Sequence, residues 1–253
     1  MSAERVYTAV LATIFLCGAG SFAVLWFTSA PYGRHLRTGW GPVLPARRAW
    51  ILMEQPAFWI PSVLFVVNGA GQGPAPLAFL LFWLLHYGQR TFLYPFLLPA
   101  ATRPFPLVVF LLGTLFNTLI GYAIGYGLFR SGVLYPAAWL VSPAFLCGSA
   151  LFLAGFAVNI HSDAVLRRLK TTSGGGYRIP GNGLHRLVSC PNYLGEIAEW
   201  TGFAVLTWSL PGLAFAFFTF CNLAPRAAAN HRWYRERFPD YPPDRKALLP
   251  FLW

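Results

Sequence analysis

The stretch SCPNYLGEIAEWTGFAVLTWSLPGLAFAFFTF, Ser189–Phe220, decides how the chain is read. It opens with two carboxylates, Glu196 and Glu199, at the mouth of a long apolar run. The whole chain of 253 residues has only eight acidic side chains. Asn192, Glu196 and Glu199 stand at i, i+4 and i+7, so a helix presents them on one face. In a bilayer such a face is costly unless it meets a partner, water or a ligand. Further on, Pro211 and Gly212 in SLPG predict a tight turn between two antiparallel helices.

The rest of the chain fits a bilayer. Hydrophobic residues make up 56% and charged residues 11%, against about 25% charged in soluble domains. Seven apolar segments approach the roughly 20 residues a crossing helix needs: about 6–27, 50–69, 76–98, 106–129, 138–165, 194–209 and 211–229. The expected architecture is an all-α integral membrane protein with seven transmembrane helices. The first segment is too long for a signal-peptide core and lacks a strong basic flank, so it reads as a span.

The net charge of +11 is unevenly spread. Arg34, Arg37, Arg47 and Arg48 fall in the first loop, and Arg90 and Arg103 in the third. Arg167, Arg168, Lys170, Arg178 and Arg186 fall in the fifth, and the tail from Arg226 to Lys246 is basic too. The alternating loops carry almost none. By the positive-inside rule the N-terminus is lumenal or outside and the C-terminus cytosolic. The host membrane is then the endoplasmic reticulum in a eukaryote or the inner (plasma) membrane in a bacterium. Basic residues scattered between spans argue against nucleic acid. Cys17, Cys147, Cys190 and Cys221 form no CxxC pair, so neither a disulfide framework nor a metal site is expected. No repeat or second domain interrupts the pattern, and the chain is expected to act as a monomer among membrane lipids.

Four acids lie in or beside apolar segments: Glu54, Asp163, Glu196 and Glu199. Ionisable groups there point to function, although pairing with an arginine to hold helices is the plainer reading for each one alone. In LPARRAWILMEQPAF, Glu54 stands about one turn into the second span, where desolvation favours the neutral, hydrogen-bond-donating carboxyl. In LLHYGQRTFLYP, His86, Tyr87 and Arg90 cluster, and Tyr87 has the chemistry to polarise a carbonyl. Asn159, Asp163 and Arg167 in FAVNIHSDAVLRRLK share a helical face, as do Arg226, Asn230 and Tyr234 near the end. The loop TTSGGGYRIPGNGLHRLVSCPNY is basic and glycine-rich, and suits phosphate oxygens without being a dinucleotide-binding GxGxxG turn. GYAIG in the fourth span is read as helix packing, and the final ALLPFLW as folding back or lying at the interface.

In order along the chain, LPAR with Glu54 seven residues later, HY followed by RTF, NIHSD, YRIP, NYLGEIAEW, TWSLP, AFAFF, DYP, RKAL and the closing PF resemble the steroid 5α-reductase family. The resemblance covers nearly the whole chain. It implies a single membrane-embedded reductase domain, with about 1–135 on the steroid side and about 136–253 holding NADPH. The implied reaction is hydride transfer from NADPH to C5 of a 3-oxo-Δ4-steroid that enters from the lipid, reducing C4=C5. It implies that Glu54 and Tyr87 hold the C3 carbonyl. It places Asn159, Asp163, Arg178, Asn192, Glu196, Arg226 and Tyr234 on the cofactor, with Arg90, Tyr94, Arg103, Lys170, Tyr177 and Asn230 beside them. Met53 departs from the family, which often has glutamine before the glutamate, and so bears on how substrate is oriented.

Three other readings stay open at this point. One is a reductase of another enone, sterol, polyprenol or enoyl thioester. Another is an isoprenylcysteine methyltransferase-like enzyme using S-adenosylmethionine, against which the LPAR…E and HY…RTF pieces argue. The third is a proton-coupled transporter, which the lack of an inverted repeat disfavours.

Overall fold

The computed structural model describes residues 2–69, 71–99 and 102–253. Among them the expected helical segments appear in the expected order. They are α1 (Ala3–Phe27), α2 (Ala46–Leu64, running on as a π turn to Gly69), α3 (Pro74–Gly88), α4 (Tyr94–Leu97), α5 (Leu107–Phe129), α6 (Pro143–Thr172), α7 (Pro191–Thr207) and α8 (Leu210–Arg237). Four of these segments, Ala3–Phe27, Ala46–Gly69, Leu107–Phe129 and Pro143–Thr172, are long and apolar enough to cross a membrane. The 17 residues of α7 rise only about 25 Å, short of the ~30 Å hydrocarbon layer. A second π turn, Gln89–Leu93, joins α3 to the short α4. One two-residue antiparallel ladder, β1 (Val43–Leu44) with β2 (Phe105–Pro106), ties the segment before α2 to the one before α5.

Glycine decides how closely the helices pack. Gly148 and Gly155 on α6 face Gly202 and Gly195 on α7, each pair spaced by seven. A Cβ at Gly155 would lie 2.5 Å from the Gly195 carbonyl oxygen, and one at Gly195 would lie 2.6 Å from the Asn159 nitrogen. The two backbones are therefore in direct contact, and any side chain would part them. GYAIG does the same work elsewhere: Gly121 seats on Pro56 and Ala57, and Gly125 on Pro61 and Leu64, joining α5 to α2.

Prolines inside α2 leave carbonyls without their helical partners. Pro61 cannot donate to the Ala57 carbonyl, and the Trp83 indole N–H of α3 takes its place at 2.7 Å. The turn between α7 and α8 is not made by Pro211 and Gly212, as the sequence led us to expect. Trp208 makes it with a left-handed φ of 45°. Ser209 caps α8 by accepting the Gly212 N–H at 3.2 Å, and Pro211 and Gly212 lie in the first helical turn. Proline is well suited there because the first turn has no use for its missing N–H. The C-terminal segment folds back. The Ser189 and Cys190 N–H groups donate to the Lys246 and Ala247 carbonyls at 2.8 and 3.2 Å, and Leu248 is buried.

Candidate active site

Glu54 and Tyr87 are both buried, on α2 and α3. Asn117 of α5 donates to Glu54 Oε2 at 3.1 Å and to the Met53 carbonyl at 2.8 Å. This fixes the carboxyl and leaves its other oxygen for a further partner. The Tyr87 ring sits among Trp83 (centroids 4.7 Å apart), His86 (5.1 Å) and Trp200 (5.9 Å). Met53 fills the space left by the absent side chain of Gly113 and packs with Ala49 and Phe105.

Because α6 and α7 touch, their polar faces meet at hydrogen-bonding distance. The Asn159 amide donates to the Asn192 carbonyl (3.0 Å) and to Glu196 Oε2 (3.3 Å), and the Asn192 amide donates to Asp163 (3.2 Å). Arg90 closes the network with an ion pair to Asp163 at 3.5 Å. Its guanidinium also lies 4.6 Å from the Trp50 ring and 4.4 Å from that of Tyr94. Glu199 stands apart from this network. It pairs with His86 at 2.8 Å, not with an arginine as the plainer reading had it.

Beside the network opens a cavity of about 240 Å³. Of the residues that the resemblance places on the cofactor, Tyr94, Asp163, Lys170, Tyr177, Asn192, Arg226 and Asn230 line it. Tyr32, Arg34, His35, Arg167 and Tyr193 line it too. None of these five was singled out as a ligand. The sequence offers Arg34 only as loop charge, and Arg167 only as loop charge and part of a helical face. Arg90, Asn159 and Glu196 reach the cavity through Asp163 and Asn192. Tyr234 is buried, and the Arg34 guanidinium lies 4.7 Å from its ring. Arg103 and Arg178 are exposed and do not line the cavity, although the Arg103 charge acts on Lys170.

The electrostatics of this cavity are those of an anion site. The Arg34 and Arg167 Nη1 atoms are buried with no hydrogen-bond partner among the described residues. Such donors are expensive to bury without an acceptor. Burial works against the Arg34 charge, but Tyr234, Cys190 and Tyr193 around it outweigh that, so its proton is held more tightly than usual. Burial pushes the His35 imidazole down, and the charges of Arg34, Arg226 and Arg37 add to this against a 3.1 Å hydrogen bond to Asn230. Arg226 donates to Asn222 and Tyr193, each at 3.0 Å. Among the described residues, no three His, Cys, Asp or Glu side chains gather where they could hold a metal ion.

The sequence model of the family described as "3-oxo-5-alpha-steroid 4-dehydrogenase" matches residues 103–253. The chain is 44% identical to 3-oxo-5-alpha-steroid 4-dehydrogenase 1 of Bos taurus over 93% of its own length and 92% of that protein's. The chain belongs to the 3-oxo-5-alpha-steroid 4-dehydrogenase family. A plant relative, steroid 5-alpha-reductase DET2 of Gossypium hirsutum, is 41% identical over 100% of this chain and 99% of that protein. The human 3-oxo-5-alpha-steroid 4-dehydrogenase 1 is 40% identical over 98% and 96%. The chain is thus an oxidoreductase, and its long apolar helices are those of a membrane protein. Membership in the 3-oxo-5-alpha-steroid 4-dehydrogenase family removes the methyltransferase and transporter readings.

Proposed function

We propose that this chain reduces the C4=C5 bond of 3-oxo-Δ4-steroids with NADPH. The observation that carries the cofactor is the pair of buried, unpartnered guanidinium nitrogens on Arg34 and Arg167 at the basic cavity. They fit phosphate oxygens, and Lys170 and Arg226 add charge. Tyr32, Tyr94, Tyr177 and Tyr193 offer flat faces for aromatic rings. The Asn159–Asn192–Glu196–Asp163 network would hold carboxamide and ribose hydroxyl groups, and Arg90 braces it from the side of Tyr87. Arg103 and Arg178 are left as outer charges that draw the polyanion in. Bound NADPH would supply the hydride that adds at C5.

The chain's own residues do the rest. Tyr87 and Glu54 hold the C3 carbonyl oxygen, each as a hydrogen-bond donor, and stabilise the enolate charge that develops there. A fixed donor of this kind is worth roughly 10²–10³ in rate. Asn117 occupies Oε2 of Glu54, so the other carboxyl oxygen carries the proton toward substrate. A solvent proton then completes C4. Met53, packed on Gly113, shapes the steroid side. Seven helical segments cross the bilayer, the short α7 sheltered against α6 where it falls short of the full hydrocarbon thickness, with the N-terminus lumenal or outside and the basic cavity open to the cytosol. The steroid enters from the lipid, and the chain works as a single domain and a monomer. The membrane is the endoplasmic reticulum in a eukaryote and the inner membrane in a bacterium.

The test is steroid-dependent NADPH oxidation by purified protein and its Glu54→Leu variant, which loses the donor that glutamine would keep. The variant should lose at least a hundredfold in kcat and keep its NADPH affinity. Undiminished turnover would remove Glu54 from carbonyl activation.

A further inference from the structure

Glu199 takes no part in the network just described, yet it is fully buried. One carboxyl oxygen meets His86 Nδ1 at 2.8 Å, and the other has no partner among the described residues. A buried carboxyl is costly, and leucine would fill that volume more cheaply. Among the described residues this is the one side-chain hydrogen bond that ties α3 to α7. It therefore couples the helix that carries Tyr87 to the helix that carries Asn192 and Glu196.

Nothing among the described residues hydrogen-bonds the Tyr87 hydroxyl. Its direction rests on the rings around it. Trp200 is the hub of that cage. It lies 4.6 Å from His86, 5.2 Å from Trp83 and 5.9 Å from Tyr87. His86 packs against both Tyr87 and Trp200, edge to ring with each, and the three rings form a triangle. A rotated imidazole would free both neighbours, and Glu199 holds it against rotation. We infer that Glu199, through His86, is a positioning residue that fixes the Tyr87 ring for reduction. The inference rests on the role given to Tyr87 above.

The test compares Glu199→Leu, His86→Phe, the double variant and Glu199→Gln with wild type and Tyr87→Phe. It reads kcat and KM with a 3-oxo-Δ4-steroid, NADPH affinity by tryptophan quenching, and near-UV circular dichroism without ligand. Glu199→Leu and His86→Phe should each lower kcat roughly tenfold to a hundredfold, the scale of a misplaced catalytic group. NADPH affinity should stay within about twofold, since the Asn159–Asn192–Glu196 network is untouched. The aromatic dichroism should weaken, and the double variant should be no worse than either single one. Glu199→Gln, whose amide can donate to or accept from Nδ1 in either imidazole tautomer, should restore most of kcat. Wild-type kcat and dichroism in Glu199→Leu, additive losses, or no rescue by glutamine would each overturn the inference. If Glu199→Leu does not fold, His86→Phe and Glu199→Gln carry the same contrast. A wild type inert toward steroid, or a fully active Tyr87→Phe, would strike the parent proposal instead. The dichroism, which needs no turnover, would still show whether Glu199 orders the cage.

Discussion

Replacing Gly155 by alanine inserts one methyl group where two helix backbones touch. Its Cβ would lie 2.5 Å from the Gly195 carbonyl oxygen and also against the Glu199 amide nitrogen. Ordinary contact begins near 3.4 Å, so α6 and α7 must part by about 0.9 Å, the difference of those two distances. The hydrogen bonds Asn159–Asn192, Asn159–Glu196 and Asn192–Asp163 measure 3.0, 3.3 and 3.2 Å. That shift takes all three past bonding distance. Overpacking costs about 1–3 kcal/mol, and each lost bond about 0.5–1.5 kcal/mol. Alanine returns about 1 kcal/mol in helix propensity. The net expected loss is about 1.5–6.5 kcal/mol. Gly20→Ala is the matched control, because a Cβ there meets nothing within 4 Å. The assay is reversible unfolding in mixed detergent and denaturing surfactant, with NADPH affinity measured on the folded fraction. Gly155→Ala should fall well below Gly20→Ala in both. Equal stability and equal affinity for the two variants would refute the claim that the glycine seam sets the polar network.

Other consequences follow from the basic cavity. Arg34→Gln and Arg167→Gln should each weaken NADPH binding about tenfold, as expected for one charge-assisted contact of about 1.5–3 kcal/mol. Titration at two salt concentrations should show a shallower salt dependence in both, and unchanged affinity in both would remove the cavity from cofactor binding. His35 should give that affinity a pH dependence. Its imidazole is held below the usual value of about 6.5 by burial first and neighbouring cations second, so it is neutral at pH 7 in the free protein. A phosphate-bearing ligand favours the protonated form and raises the imidazole from its depressed free value, so binding takes up a proton and tightens as pH falls through the range where the bound imidazole titrates. Isothermal titration across pH 5.5–7.5 should show this difference between wild type and His35→Gln, and superimposable profiles would contradict it.

Helical periodicity made much of the site legible. Asn192 and Glu196 recur at i+4, and so do Asn159 and Asp163. A single spacing rule found both faces, and the structure presses them together. Glu54 stood out because an acid inside an apolar run has few reasons to be there. Loop residues carry no period, so Arg34, His35 and Tyr32 could be read only as charge or composition, and only the folded chain brings them to the cavity. Arg103 and Arg178, loop charges that the resemblance also places on the cofactor, are exposed and lie outside the cavity lining. Asn117 left a signal that went unused, an amide in the middle of the apolar LFNTLIG. The seven-residue glycine spacing on α6 and α7 was also visible, although its meaning depends on which helix it faces. The π turn at Gln89–Leu93 and the Glu199–His86 pair depend on tertiary packing, and no local pattern announces them.

The central claim is hydride delivery to C5 of a steroid whose carbonyl rests on Tyr87 and Glu54. Purified protein in mild detergent, given NADPH deuterated at the transferred position and a 3-oxo-Δ4-steroid, tests it directly. The account predicts a product two hydrogens heavier in formula, with the single deuterium at C5 by mass spectrometry and NMR. Deuterium at another carbon, or no reduced product with NADPH bound, would contradict it.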